Sequence, residues 1–265
     1  LFGAATLLGG RRGYFIPTRY AAAPSPASYP ALEPIFVAAA AEFRRQLSTI
    51  RRYGPDLARI GGPPPAPRFD QDWFPRLDAA MAYALVREAR AASIVEIGSG
   101  HSTRFMARAI HDGGLPTRLL AIDPAPRAAI GGLRVDWRRL PLQAVDPHAF
   151  GSLAAGDILF VDSSHVLMPG SDVDRVLTDI LPRLARGVVV HFHDVFLPDG
   201  YPARWVWRGY NEQSAVAALL AAGWRLLWSS HWVATRMAAE VTAAGLDALP
   251  LKPGAFESSL WLEKL

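Results

Sequence analysis

The stretch that most constrains this chain is 93–104, Ser-Ile-Val-Glu-Ile-Gly-Ser-Gly-His-Ser-Thr-Arg. Ser93 to Ile97 read as a short buried strand with one acidic interruption, Glu96. Gly98-Ser99-Gly100 then makes a tight turn, and Thr103 to Ala109 continue with helical composition. Such a strand, turn and helix form a ligand site, because glycines let a ligand approach the backbone and a helix N-terminus offers free N–H groups. A dinucleotide fingerprint would place a third glycine where Thr103 stands and would not want a carboxylate at Glu96. The stretch therefore reads as a ligand site that departs from the dinucleotide fingerprint at two positions.

Downstream, Leu119-Leu120-Ala121-Ile122-Asp123 reads as a second buried strand ending in an acid. The interval from Gly100 to Asp123 holds one helix and a return, a right-handed βαβ unit. A carboxylate at that strand end can accept both hydroxyls of a ribose. Leu133 to Leu140 is a third strand, Gly156 to Asp162 a fourth with its exit at Ser163-Ser164-His165, and Val188 to Asp194 a fifth. The fifth is apolar enough to be central and covered on both faces. Helices are expected over 77–91, over 172–184 and from Asn211 onward, with Asn211 as N-cap. Two late strands follow at 224–228 and 258–262. Alternating strands and helices imply a doubly wound α/β sheet. Ligands of such sheets lie beyond the C-terminal strand ends, where Glu96, Asp123, Asp162, His165 and the His193-Asp194 pair converge.

The N-terminal part differs. Residues 1–30 are irregular and proline-rich, with Tyr14, Phe15 and Tyr20 expected to pack onto something. From 31 to 59, Phe36, Ala40, Phe43, Leu47 and Ile50 recur at helical spacing, and Gly61-Gly62-Pro63-Pro64-Pro65 reads as a linker. We expect a helical cap or lid over residues 1–66 and the α/β domain over 67–265. The chain opens at Leu1 without an initiator Met, and its natural start is expected upstream.

Composition narrows the function. Cys is absent from the 265 residues, which removes disulfides, thiol nucleophiles and cysteine metal sites, and suits a reducing, cytoplasmic setting. Net charge is +4, but the arginine pairs are scattered, so solvated faces or an anionic substrate are expected and nucleic acid is not. No apolar run reaches the roughly 18–20 residues that span a bilayer. The expected partner is a small-molecule acceptor, with a homo-oligomer as an open possibility.

Glu96-Ile97-Gly98-Ser99-Gly100 with Asp123 resembles the cofactor motif of the class I S-adenosylmethionine-dependent methyltransferases. Phe160 to His165 together with Val190 to Asp194 resembles a bacterial small-molecule methyltransferase family, distantly similar to the metal-dependent catechol O-methyltransferases. The resemblance implies a Rossmann-like sheet of order 3-2-1-4-5-7-6 with the last strand antiparallel. It implies S-adenosylmethionine as cofactor, held by Glu96, Gly98, Ser99, Gly100, Ser102, Asp123, Gln143, Ala144 and Asp162. In the relatives, acids at the fourth and fifth strand ends hold a divalent cation that binds the acceptor oxygens, and a basic residue takes the proton. These roles fall on Asp162, His193 and Asp194 as metal ligands, and on His165, His193 and Asp194 as catalytic groups. A histidine at 193 makes Mg²⁺ less comfortable than Mn²⁺, Fe²⁺ or Zn²⁺ and equally permits a metal-free reaction with His165 or His193 as base. The expected activity is methyl transfer to a hydroxyl oxygen. The alternatives are an NAD-dependent oxidoreductase and a catalytically inactive nucleotide-binding or interaction module.

Overall fold

The computed structural model describes residues 28–265. The expectations about residues 1–27, with Tyr14, Phe15 and Tyr20, lie outside the described residues. Seven strands form one sheet: β1 Ser93–Ile97, β2 Arg118–Ile122, β3 Asp136–Arg138, β4 Ile158–Val161, β5 Val189–Phe192, β6 Arg225–Ser229 and β7 Leu260–Glu263. Their order is β3-β2-β1-β4-β5-β7-β6, the order implied by the resemblance. The first five run parallel, and β7 is antiparallel to both β5 and β6. The order reverses between β1 and β4, which opens a crevice at their C-terminal ends.

Local chemistry explains why β1 ends where it does. Gly98 adopts φ +79°, and a Cβ there would lie 1.8 Å from the backbone oxygen of Asp162. Only glycine lets the turn after β1 cross the exit of β4 this closely. The Gly98 N–H donates to Ile122 O at 3.0 Å and the Asp162 N–H to Ile97 O at 2.9 Å, so three strand ends are tied together there.

The described helices of the N-terminal stretch form no separate layer. The predicted 31–59 helix is broken into short pieces around α1, Ala40–Arg52. Phe43, Leu47 and Ile50 of α1 are buried, and Phe43 meets the Trp228 ring of β6 edge-on at 6.2 Å. Phe36, one piece earlier, packs on Trp232 at 5.3 Å. Each such side chain contributes roughly 1.5–3 kcal/mol by leaving water, so this stretch shares the core of the sheet. None of residues 28–66 lines the crevice described below. The described part of this stretch packs as a buttress on the β6 side of the sheet.

Helix α2, Arg76–Ala89, and α3, His101–Asp112, flank β1. The expected helix over 172–184 keeps one α-turn, Asp172–Arg175, then loosens into a π-turn and a 3-10 turn ending at Arg183. Pro182 lacks the N–H that would continue the α pattern. The Lys264 ammonium satisfies the freed carbonyls of Leu181, Pro182 and Leu184 at 2.8, 3.1 and 2.8 Å. Helix α4, Glu212–Ala221, starts where expected, but the Asn211 side chain does not cap it. Its Oδ1 accepts the Leu167 N–H at 2.6 Å and so fixes the loop after β4.

Candidate active site

A cavity of about 460 Å³ lies in the crevice, within the usual range for a small-molecule site. Gly98, Ser99, Gly100, Ser102, Asp123 and Gln143 line one end, and Asp162, His165, His193 and Asp194 the other.

At the first end the polar groups are paired locally. Asp123 Oδ2 accepts the Ser99 N–H at 2.7 Å and the Ser99 hydroxyl at 3.1 Å, while Oδ1 accepts the Ala125 N–H at 2.7 Å. One acceptor site remains, on Oδ1, as a carboxylate can accept about four hydrogen bonds. Two of the expected cofactor residues do not line the cavity: Glu96 and Ala144. Glu96 is completely buried beneath the turn. The hydroxyls of Ser102 and Thr103 donate to its two oxygens at 2.5 and 2.6 Å, and Thr103 Oγ1 accepts the Gly100 N–H at 2.9 Å. The residue standing where a dinucleotide fingerprint has its third glycine is thus the clasp of the turn. Burial pushes the Glu96 carboxyl up to about 8, against the two hydroxyl hydrogen bonds and with help from Asp162 and Asp123. Glu96 shapes the turn from below. Leu142–Ala144 form a short 3-10 turn, of which Leu142 and Gln143 line the cavity and Ala144 does not.

At the second end two histidines stand between carboxylates. His165 Nδ1 is 2.9 Å from Glu212 Oε2, and its Nε2 is 3.3 Å from Asp162 Oδ1 and 3.4 Å from Asp194 Oδ2. His193 Nε2 is 3.2 Å from Asp78 Oδ2, and its Nδ1 is 3.5 Å from Asp162 Oδ1 and 3.4 Å from Asp194 Oδ1. Each ring is therefore fixed from outside by one buried acid, while its inner nitrogen faces Asp162 and Asp194. Burial disfavours charge on both imidazoles, yet the surrounding carboxylates outweigh it and hold them well above the usual histidine range. Burial likewise opposes charge on Asp162, but the two imidazoles keep it well below the usual carboxylate range. His165 and Asp194 have φ of +59° and +55°, a left-handed backbone rare for such residues and concentrated at functional sites. His191, two residues before His193, is buried in hydrogen-bonding contact with the Ser259 hydroxyl at 2.9 Å and stacks on Phe160.

The orienting acids were not singled out in the sequence. Asp78 lies on α2 and is completely buried; besides His193 it accepts the backbone N–H groups of Ser258 and Ser259. Glu212 looks like an ordinary first-turn acid of α4. The only available signal was a carboxylate on an otherwise apolar helix face at 78. Arg208 was also missed; its Nη1 approaches Asp194 Oδ2 to 3.9 Å.

A divalent cation was expected on Asp162, His193 and Asp194. Among the described residues, no group of three or more His, Asp or Glu side chains is set to hold a metal ion. The inner imidazole nitrogens already oppose the Asp162 and Asp194 oxygens that would have to turn toward a cation. The donor set as folded does not fit the expected ion.

Comparison with known proteins adds a family. Residues 95–195 match the model of a methyltransferase-domain family. None of the curated proteins compared with the chain matches it. Among solved structures, an S-adenosylhomocysteine-bound methyltransferase of Podospora anserina is 15% identical, with 96% of this chain and 99% of that one covered, at a TM-score of 0.45. A proposed O-methyltransferase of Klebsiella pneumoniae is 19% identical over 82% and 89%, at 0.44. A branched-chain polyamine synthase of Thermus thermophilus is 16% identical over 100% and 77%, at 0.43. Likenesses this distant carry no argument about activity. The family match runs from β1 through the end of β5, so it contains the glycine turn, Asp123, Asp162, His165 and the His193-Asp194 pair. Residues 95–195 thus resemble a methyltransferase domain, on a sheet of order β3-β2-β1-β4-β5-β7-β6.

Proposed function

We propose that this enzyme methylates a hydroxyl oxygen of a small molecule, with a histidine of the β4–β5 end as the base. One observation carries the reading: a single cavity joins the Ser99–Asp123 turn to a buried imidazole–carboxylate cluster. The glycine turn and Asp123 suit the nucleoside of S-adenosylmethionine, Asp123 by accepting a ribose hydroxyl with the free lone pair of Oδ1. When bound, the cofactor supplies a methyl group on a sulfonium, whose C–S bond breaks as the O–C bond forms, leaving a neutral thioether. The chain's own task is to align the acceptor and to remove its proton.

His165 is the better placed base. Its Nε2 faces the cavity between Asp162 and Asp194, and Glu212 fixes the ring through Nδ1. The carboxylates hold both imidazoles protonated near neutral pH, so Nε2 accepts the hydroxyl proton only after its resting proton has left for solvent. Turnover therefore rises with pH above the ordinary histidine range. His193, clamped by Asp78, keeps the counter-charge that prevents Asp162 and Asp194 from repelling each other.

Calorimetry tests the reading directly. S-adenosylmethionine or its demethylated product should bind, and NADH should not; the reverse would sink the proposal. The acceptor class is tested by mass spectrometry of a panel of phenols, alcohols and amines incubated with cofactor. Gain of one methyl on an amine alone would move the chemistry from oxygen to nitrogen. A chelator should leave turnover unchanged. Loss of activity restored by Mn²⁺ or Zn²⁺ would return Asp162, His193 and Asp194 to the role of ligands.

A further inference from the structure

A second cleft, of about 360 Å³, continues from the catalytic end of the cavity and shares Asp72, Trp73, Trp205 and Arg208 with it. Its walls are flat aromatic faces and guanidinium groups, and two features of it have no structural use. First, Trp207 is 81% exposed and Trp73 48% exposed, and both line this cleft. Exposed large aromatics gathered at one place mark a binding surface. Second, the Arg208 guanidinium lies over the Trp205 ring at 3.9 Å, and also 5.3 Å from the Tyr210 centroid and 5.8 Å from that of Trp207. Its nearest carboxylate oxygen is Asp194 Oδ2, at 3.9 Å and so beyond hydrogen-bond reach. Among the described residues it donates no hydrogen bond, whereas neighbouring Arg204 donates to the Gly254 carbonyl and lies over Phe256. A guanidinium stacked between rings keeps its planar fork of donors for a planar, bidentate anion.

The charge balance agrees. The acid on the cleft wall, Asp72, is paired with Lys252 at 3.6 Å, which leaves Arg204 and Arg208 in excess. Asp194 stands behind Arg208 and shares its charge, so a monoanion suits the place better than a doubly charged phosphate.

We propose that this cleft is the acceptor subsite and that it takes a hydroxylated aromatic carboxylic acid. The ring lies against Trp205 and Trp207, the carboxylate on Arg208, and a hydroxyl turns toward Asp162 and His165. The proposal rests on the methyltransferase reading above and supplies its acceptor class.

The test uses the full chain and two probes that differ by one carboxylate, 3,4-dihydroxybenzoate and 1,2-dihydroxybenzene. Quenching of tryptophan fluorescence reports binding without any cofactor present. In the wild type the benzoate should bind about tenfold or more tightly than the neutral diol, the range for a charged hydrogen-bonded pair. Arg208→Met should abolish that preference while leaving the neutral diol within about twofold. Arg208→Lys keeps the charge without the fork and should leave a preference of only a few fold, which also serves if the Met variant folds poorly. Equal affinities for the two probes in the wild type, or a preference untouched in either variant, would overturn the proposal. A cleft filled by the chain's own residues 1–27 would be the other occupant. In that case Trp207→Phe would not lower acrylamide quenching of the free protein, and the proposal would fall. S-adenosylhomocysteine titrated into the same samples separates the two ideas. Its failure to bind would defeat the methyltransferase reading, while the probe preference is read independently.

Discussion

The two ends of the cavity are built in opposite ways. At the β1–β2 end, the contacts that shape the turn stay within one βαβ unit: Ser99 to Asp123, Ser102 and Thr103 to Glu96. Its buried acid is satisfied by hydroxyls and held toward the neutral form. At the β4–β5 end the contacts bridge distant segments, His193 to Asp78 over 115 positions and His165 to Glu212 over 47. There the acids are compensated by imidazolium charge. A site that must hold a ligand in one pose can be made from a single βαβ unit. A site that must hold a proton-accepting group at a chosen pKa needs charges brought from several elements, because only near and buried partners shift it far.

The strongest way to break the comparison is to strike where the two ends touch. Gly98→Ala places a Cβ against the Asp162 carbonyl in a left-handed conformation, and should cost more than about 4 kcal/mol of stability in chemical denaturation. A cost near 1 kcal/mol would mean the two ends are free to separate. Next in size, His165→Ala should lower turnover roughly 10²–10⁴-fold with S-adenosylhomocysteine affinity unchanged. Equal loss of both would show that the ends are energetically one site. Asp123→Ala should do the converse, weakening S-adenosylhomocysteine by about 1.5–3 kcal/mol in calorimetry. Little change would remove Asp123 from ribose recognition.

The last expected effect concerns Glu96. Its carboxyl titrates near 8 in the fold against an ordinary 4.5, so between those values it is neutral when folded and ionised when unfolded. The fold therefore keeps this contribution fully below about pH 4.5 and loses it progressively as pH rises toward 8. Glu96→Gln should flatten the fall of the melting temperature across that window. An unchanged slope would show that Glu96 is ionised in the fold, and the contrast between the two ends would blur.

Much of this was legible in the sequence because period and turn chemistry are local. The strand–glycine–helix of 93–112, the acid at Asp123, five parallel strands and the convergence of Asp162, His165, His193 and Asp194 follow from which residues alternate, which bend the chain and where strands end. What Glu96 touches was not legible: a strand residue's side is set by parity, but its partners here, Ser102 and Thr103, are brought to it by the helix after the turn. Whether an amphipathic helix covers a site or a sheet edge depends on where its apolar partner lies. For Phe43 that partner is Trp228, 185 positions away.

The sequence by itself determined the class of sheet, the glycine turn after β1 and the residues at its crevice. Only the tertiary structure decided that Asp78 and Glu212 fix the two histidines, that Asp162 and Asp194 face imidazole nitrogens on both sides, and that Arg208 stands stacked between aromatic rings. The physical reason is range. Backbone geometry is set within a few residues, whereas a buried charge is set by whatever the fold carries to within about 4 Å of it, from any part of the chain.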